Sequence, residues 1–390
     1  MTTINNDASI KLEQYISDHP DSKTGEMLPL PFRDSRRLFE VFKLPIDMLT
    51  YSVGNGRVNV DVLEYRRREK TDIDPQSPEG RKLLMDSLLG QANMEQLVSN
   101  IDSNGQVEPG VVTYDGIVIN GNRRMAAISK LDMECEKHPV GTHKFLLAAK
   151  LPPDVTKEEL YQIEADLQFG FDYKEKYGAV NELLKIRSGV ELYNDPKTLA
   201  RIIGKDKSEI EKKLQVLQII DDYLARIGHP GEYRLIEDAE KYSHFAEIPE
   251  ILKTLSDMGK KDEVMERYLT AAYVMIKNGL GHREVRKLKS KVCNLPEAME
   301  NRVLDLADSE ILKMPASEEL EKKIEDRMDE ADIYILQARQ ANAPLEIVSD
   351  MIARAEMLQP RKGAAYSEEL LKRLRTLQEK IAKKIAQLGD

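Results

Sequence analysis

Apolar positions recur at three- and four-residue steps through most of this chain, and in one place short β-branched runs replace that rhythm. Val111-Val112 and Ile117-Val118-Ile119 read there as two strands, with Tyr114-Asp115-Gly116 as the hairpin turn between them. Asn120-Gly121-Asn122 breaks the second strand, and Met125, Ile128 and Leu131 at helical spacing predict a helix over residues 123–131. Upstream, residues 81–89 and 94–101 read as amphipathic helices, the second stopped by Ser103-Asn104-Gly105. Downstream, the apolar run 144–151 supplies a last strand ended by Pro152-Pro153. Thr156 with Glu159 forms a capping box for a helix over 156–168.

The flanks are less regular. Residues 10–16 allow a turn or two of helix and residues 19–25 read as a loop. Pro29 and Pro31 then keep the backbone extended past Arg33, Arg36 and Arg37, so residues 1–42 are expected to form an arm packed on a neighbouring domain. Arg66, Arg67 and Arg68 fall in a polar connection. After a helix over 174–186, residues 195–217 have the shape of a helix-turn-helix, with Leu199, Ala200 and Ile203 inward, Gly204 at the turn, and Ile210, Leu214 and Leu217 inward again. Helices follow over 219–227, 233–242, 248–259 and 263–277, with His229 in the 228–231 loop. Residues 282–292 are the most basic run, built on a Val285, Leu288, Val292 stripe. From 317 onward the text is rich in Glu, Lys, Arg, Ala and Leu. It predicts helices over 318–339, 345–358 after an interruption at Pro344, and 367–388. Leu370, Leu374, Leu377, Ile381 and Ile385 in the last suit a short coiled coil or a helical hairpin.

Composition narrows the class. At 390 residues the chain exceeds what one core usually serves, and 41% hydrophobic with 32% charged residues fits a charge-rich, mostly helical protein. A formal charge of -10 argues against gripping nucleic acid over the whole surface, so such contact must come from a local basic patch. Cys135 and Cys293 are too few for a disulfide framework or a zinc ribbon. A polar N-terminus and the lack of any 18-residue apolar run lead to the expectation of a cytoplasmic protein.

The candidate chemistry lies in the strand-turn-helix. A strand that ends in a glycine turn and opens a helix aims free N–H groups, the positive end of the helix dipole and, here, Arg123 and Arg124 at one point, which suits a phosphate. The alternative is two surface arginines on an ordinary helix. They would oppose the dipole by roughly 0.3–1 kcal/mol each, a penalty that an adjacent anion reverses.

These motifs in order, Leu-Pro-Ile from 44 with Asn55-Gly-Arg57, a helix ending in Asn104-Gly-Gln-x-x-Pro109, a strand pair, then Asn120-Gly-Asn-Arg-Arg-Met-Ala-Ala127, resemble the N-terminal domain of the ParB/sulfiredoxin superfamily over residues 43–151. The resemblance implies an α+β ParB/sulfiredoxin-like nucleotide-binding domain at 43–151. An all-α helical domain at 152–230 with the helix-turn-helix at 195–217 would follow, then a helical domain at 231–316 and a charged helical region at 317–390. It implies a nucleoside triphosphate, CTP or ATP with Mg2+, held by Gln106, Gly121, Asn122, Arg123 and Arg124. Asn122 stands where partition proteins have Glu and sulfiredoxins have the catalytic Cys, so sulfinic-acid repair is not expected. Glu108, Asp115 and Glu164 are the candidate catalytic acids, and Glu164 and Asp166 the candidate metal ligands. The acidic-Asn…Arg motif of partition proteins is represented only by Glu164, Asp166 and Gln168.

The second helix of the helix-turn-helix presents Lys207, Ser208, Lys212 and Gln215 to DNA, with Glu209 and Glu211 weakening the field, and such a unit also serves for packing alone. Arg283, Arg286 and Lys287 are a second candidate DNA contact or else a solvated helix face. The expected function is a ParB-like nucleotide-binding, DNA-associated protein, possessing at most a slow triphosphatase activity, in which the bound triphosphate regulates DNA or partner binding. A homodimer through the C-terminal helices or another protein partner is also expected. The alternatives are a phosphotransferase or metal-dependent nuclease using the same pocket, and an interaction scaffold with a degenerate nucleotide site.

Overall fold

The computed structural model describes residues 6–33, 35–134, 143–169, 178–236, 239–305, 308–358 and 367–388, which leaves Cys135 and the start of the helix expected at 174–186 outside the described residues. The chain divides into two compact units, Met1–Met328 and Asp329–Asp390.

The first unit is organised by a six-stranded mixed sheet in the order β1-β2-β6-β4-β5-β3. After α1 (Asn6–Asp18), β1 (Lys23–Phe32) and β2 (Ser35–Pro45) form an antiparallel hairpin, and β2 pairs antiparallel with β6 (Phe145–Lys150). The expected arm is therefore part of the sheet. Its apolar side chains explain why: Leu12, Leu30 and Phe32 are buried, and burying such side chains outweighs leaving the segment loose. β1 lies at one edge with Pro29 and Pro31, residues that a central strand would reject. At the other edge β3 (Thr50–Tyr51) is only 2 residues long and pairs parallel with β5 (Ile117–Asn120).

α2 (Asn59–Glu69), α3 (Pro78–Leu89) and α4 (Met94–Asn104) lead to β4 (Gly110–Val112), which pairs antiparallel with β5 and parallel with β6. The tri-arginine run is helical: Arg66, Arg67 and Arg68 fill the last turn of α2, where cations complement the dipole. α5 (Asn122–Met133) follows β5, and Met125, Ala126, Ile128 and Leu131 pack it into a core with Leu44, Val112, Val118, Leu84 and Leu88.

α6 (Lys157–Phe169) opens with the expected reciprocal cap: Thr156 N–H donates to Glu159 at 2.8 Å and Glu159 N–H to Thr156 Oγ1 at 3.2 Å. It divides its faces among three neighbours. Ile163 and Leu167 meet Leu30, Phe32 and Val111 of the sheet, while Tyr161 and Ala165 join Ile186, Leu199, Ala200 and Ile203 of the helices that follow. Glu164 and Gln168 take the third face, four residues apart and so one above the other.

α7 (Ala179–Tyr193) and α8 (Pro196–Ile203) precede α9 (Lys207–Arg226). Asp195 caps α8 by accepting from the N–H groups of Lys197 and Thr198, and Gly204 ends it at φ 68°. α9 is a single helix to Arg226 where two segments were expected. α10 (Ala239–Asp257) likewise joins two expected helices and carries Pro249 in its interior, losing one N–H donor without ending. α11 (Asp262–Lys277), α12 (His282–Ser290), α13 (Glu297–Leu304) and α14 (Ser309–Lys313) complete the first unit up to α15 (Glu318–Glu356). The backbone of α15 stays helical through Pro344, so the expected interruption is replaced by one 39-residue helix. Proline costs a helix one hydrogen bond and about 3 kcal/mol, and long flanking segments can absorb that. The second unit holds the later part of α15 and α16 (Ser367–Leu388), on which Leu371, Leu374, Ile381 and Ile385 are exposed. No helix among the described residues is long and apolar enough to cross a membrane.

Candidate nucleotide site

The end of β5, the turn and the first turn of α5 form one wall of a cavity of about 480 Å³. Gly121 makes the turn at φ +105°, a conformation that side-chain-bearing residues rarely adopt, and a Cβ there would stand 3.2 Å from the Gly110 Cα. Gly110 is held as closely, since its own Cβ would meet the Asn120 carbonyl oxygen at 2.7 Å. The two glycines let β4 and the turn touch backbone to backbone. No side chain caps α5, so its first N–H groups and the positive end of its dipole are directed to the cavity.

All the predicted phosphate ligands, Gln106, Gly121, Asn122, Arg123 and Arg124, line this cavity, and the four with side chains each bond within the protein. Gln106 Nε2 donates to the Glu108 and Leu147 carbonyls at 2.7 and 2.8 Å, and its Oε1 accepts from Leu147 N–H at 2.8 Å. The side-chain amide thus serves β6 as a short piece of neighbouring strand while lining the cavity. Asn122, 3% exposed, donates to the Val118 carbonyl at 2.7 Å and accepts from Ser52 N–H at 3.1 Å, tying β5 to the loop after β3. Arg124 donates to the Glu108 and Pro109 carbonyls and to Asn120 Oδ1 at 2.7 Å, with the Glu108 carboxylate 3.7 Å away. Burial lowers its pKa from the usual guanidinium value, the Glu108 charge partly opposing this, which leaves it a cation with the desolvation that an arriving anion would relieve. Arg123 donates to the Ala92 carbonyl at 2.7 Å and to Met94 Sδ at 3.4 Å.

The acidic candidates separate. Glu108 stands on the rim, its side chain 48% exposed, and Glu164 lies in the cavity wall. Asp115 is at the other end of the β4–β5 hairpin, where it accepts from Thr113 Oγ1 at 2.6 Å and stabilises the turn, so it has no part in this site. Asp166 is two positions from Glu164 on α6, which turns it about 200° away. It accepts from Arg36 of β2 at 2.8 and 2.9 Å. Glu164 and Asp166 therefore cannot share a metal, and no group of three or more His, Cys, Asp or Glu suited to one occurs among the described residues.

The cavity also takes residues that the sequence reading did not single out as ligands. Arg57 donates to Gln168 Oε1 at 3.2 Å, and Asn55, Asn93, Gln96 and Asn100 supply amides along the wall. The signal for Arg57 was its place in the Asn-Gly-Arg motif; the amides on α4 carry no signal in sequence. Arg57 and Arg123 also border a second, larger cavity of about 980 Å³ between α2 and α3.

The DNA-contact candidates fall on two helices that flank α10. Lys207 pairs with Glu211 at 2.9 Å, and Ser208, Lys212 and Gln215 line a groove of about 730 Å³ shared with Glu250 and Lys253 of α10 and Glu266 of α11. Lys212 reaches Glu250 at 2.9 Å, and Lys289 of α12 approaches the same carboxylate at 3.9 Å. Arg286 pairs with Glu247, one turn earlier on α10, Lys287 pairs with Glu284 at 2.6 Å, and Arg283 is exposed. The two basic segments, separate in sequence, thus meet on either side of Glu247 and Glu250.

No protein-family model matches the chain, and no curated protein matches it. Among solved structures it is similar to the C-terminally truncated chromosome-partitioning protein ParB from Caulobacter crescentus complexed to the centromeric parS site. The identity is 14% over 64% of this chain and 98% of that chain, with a TM-score of 0.31. It is also similar to a Pnob8-like ParB-N domain at 13% identity over 74% of this chain and 97% of that one, with a TM-score of 0.27. These are proteins of the family whose motifs the sequence resembles. A likeness of this size says nothing of what the cavity binds.

Proposed function

We propose that the cavity at Gly121 to Arg124 holds the phosphates of a nucleoside triphosphate and that its occupancy regulates how the helical region associates with DNA or a partner. The observation that carries this is the gathering of three guanidinium groups, Arg57, Arg123 and Arg124, around an α5 N-terminus that no side chain caps. Arg57 donates to the Gln168 amide, Arg123 to the Ala92 carbonyl and Met94 Sδ, and Arg124 to the Asn120 amide with the Glu108 carboxylate 3.7 Å away, so the three cations stand together along one wall where an anion would meet them. Magnesium would enter with the phosphates, with the Glu108 carboxylate on the rim to meet it.

Association with DNA is assigned to the face where α9 and α12 flank α10, since Lys212, Arg286 and Lys289 meet there. Glu247 and Glu250 hold these cations, and DNA phosphates would have to compete with them. Self-association is assigned to the exposed Leu371, Leu374, Ile381 and Ile385 of α16.

Calorimetric titration with CTP, ATP and GTP, with and without magnesium, tests the nucleotide reading. One of them binds wild-type protein, and Arg57→Ala and Arg123→Ala weaken it at least tenfold; no binding by any triphosphate would end it. DNA affinity should fall steeply with salt, drop in Lys212→Glu, and rise in a Glu247→Gln/Glu250→Gln double variant.

A further inference from the structure

Glu164 is a negative charge in the wall of the cavity that Arg57, Arg123 and Arg124 line, with Glu108 on its rim, and a helix from the following region pairs with it. Its side chain is 8% exposed. Oε1 accepts from Gly56 N–H at 3.1 Å and from Asn55 Nδ2 at 3.4 Å, which anchors the loop that delivers Arg57. Oε2 accepts from Lys185 Nζ at 2.5 Å. Lys185 belongs to α7, is 4% exposed, lies 3.5 Å from the Gly54 carbonyl oxygen, and has its ammonium 4.6 Å from the centre of the Tyr161 ring. A second tether from the same helix lies nearby, Asn181 Oδ1 accepting from Val60 N–H at 3.2 Å at the start of α2.

We propose that Lys185 couples the docking of α7 to the anion affinity of the cavity, a proposal that rests on the phosphate reading of that site. With α7 docked, the ammonium cancels the Glu164 carboxylate and steadies the Gly54–Arg57 loop, so Arg57, Arg123 and Arg124 define the local charge. With α7 withdrawn, Glu164 loses the Lys185 ammonium in a poorly solvated wall, where its carboxylate repels a phosphate more strongly and holds the loop less firmly. The coupling is reciprocal: a phosphate ligand strengthens α7 docking by the same factor by which docking strengthens the ligand. Lys185 acts through Glu164 and is a positioning residue, with no contact to the ligand required.

The test uses the full chain and inorganic tripolyphosphate as the probe, followed by calorimetry. Lys185→Met keeps the stem and removes the charge, and its affinity falls on the order of tenfold. Adding Glu164→Gln to it restores affinity to within about threefold, a rescue that loss of packing alone would not give. Glu164→Gln alone leaves Lys185 uncompensated and raises affinity, which decides the matter should Lys185→Met fail to fold. Hydrogen exchange along α7 slows on saturation with tripolyphosphate in the wild type and not in Lys185→Met. Wild-type affinity in Lys185→Met, a double variant as weak as the single, or unchanged or lower affinity in Glu164→Gln overturns the coupling alone. Failure of the wild type to bind tripolyphosphate overturns the phosphate site and the coupling together.

Discussion

Replacing Gly121 by alanine separates two costs that the turn combines. An L residue held in the left-handed region loses roughly 1–2 kcal/mol to the clash of its Cβ with its own backbone. At Gly121, where φ is +105°, the new Cβ also comes within 3.2 Å of the Gly110 Cα, a backbone atom that cannot rotate aside. Forcing β4 and the turn apart adds about 1–3 kcal/mol, as overpacking does elsewhere. The expected total is about 2–5 kcal/mol. Gly25 is the control in the same sheet: its φ is +76° and nothing lies within 4 Å of its Cβ position, so alanine there meets the backbone cost alone. Urea unfolding followed by far-UV circular dichroism measures both variants, and triphosphate affinity of the folded Gly121→Ala protein should fall as well. The reasoning is refuted if Gly121→Ala costs no more than Gly25→Ala, because the close approach of the two glycines would then carry no energy.

Further outcomes follow from the contacts around the cavity. Arg81 donates to the Leu49 and Ile46 carbonyls at 2.5 and 2.6 Å, and Arg81→Met should destabilise by about 1–3 kcal/mol in chemical denaturation, since the Leu49 carbonyl loses this donor while the Ile46 carbonyl keeps the Leu49 N–H at 3.3 Å. Gln106→Ala should cost roughly 1–3 kcal/mol of stability. Its tripolyphosphate affinity should stay within about threefold of wild type, since the Gln106 amide serves Leu147 and not the ligand. Asn122→Asp replaces the donor facing the Val118 carbonyl with an acceptor and should lower stability by about 1–3 kcal/mol, less at low pH where a protonated Asp can donate again. Lys207→Ala removes an exposed pair with Glu211 and should leave the melting temperature close to that of the wild type in a thermal melt.

The strand-turn-helix at 110–133 was legible because its signals are local: β-branched runs, a glycine that must take positive φ, and an apolar stripe at helical spacing. The capping box at Thr156 was legible for the same reason. Partnership was not legible. Nothing local says that Gln106 lies against Leu147, or that Asp166 turns to Arg36 while Glu164 turns to Lys185, because each choice is made by an element distant in the chain. The N-terminal hairpin was missed because Pro29 and Pro31 look like breakers wherever the strand's place in the sheet is unknown. The continuity of α10 and α15 through Pro249 and Pro344 was missed because flanking helical turns can outweigh the local loss of one donor.

Pro29 and Pro31 bear on how the molecule behaves in a crowd. An edge strand presents a row of N–H and C=O groups that another chain can zip onto, and proline removes the donor wherever it faces outward. β1 carries Pro29 and Pro31 along one margin of the sheet, and the opposite margin, β3, offers 2 residues. An incoming strand thus finds an interrupted ladder on one side and almost none on the other. The sheet is poorly suited to being lengthened by a neighbour or by a stray extended peptide, which guards the cavity built on its strand ends against aggregation through its own scaffold.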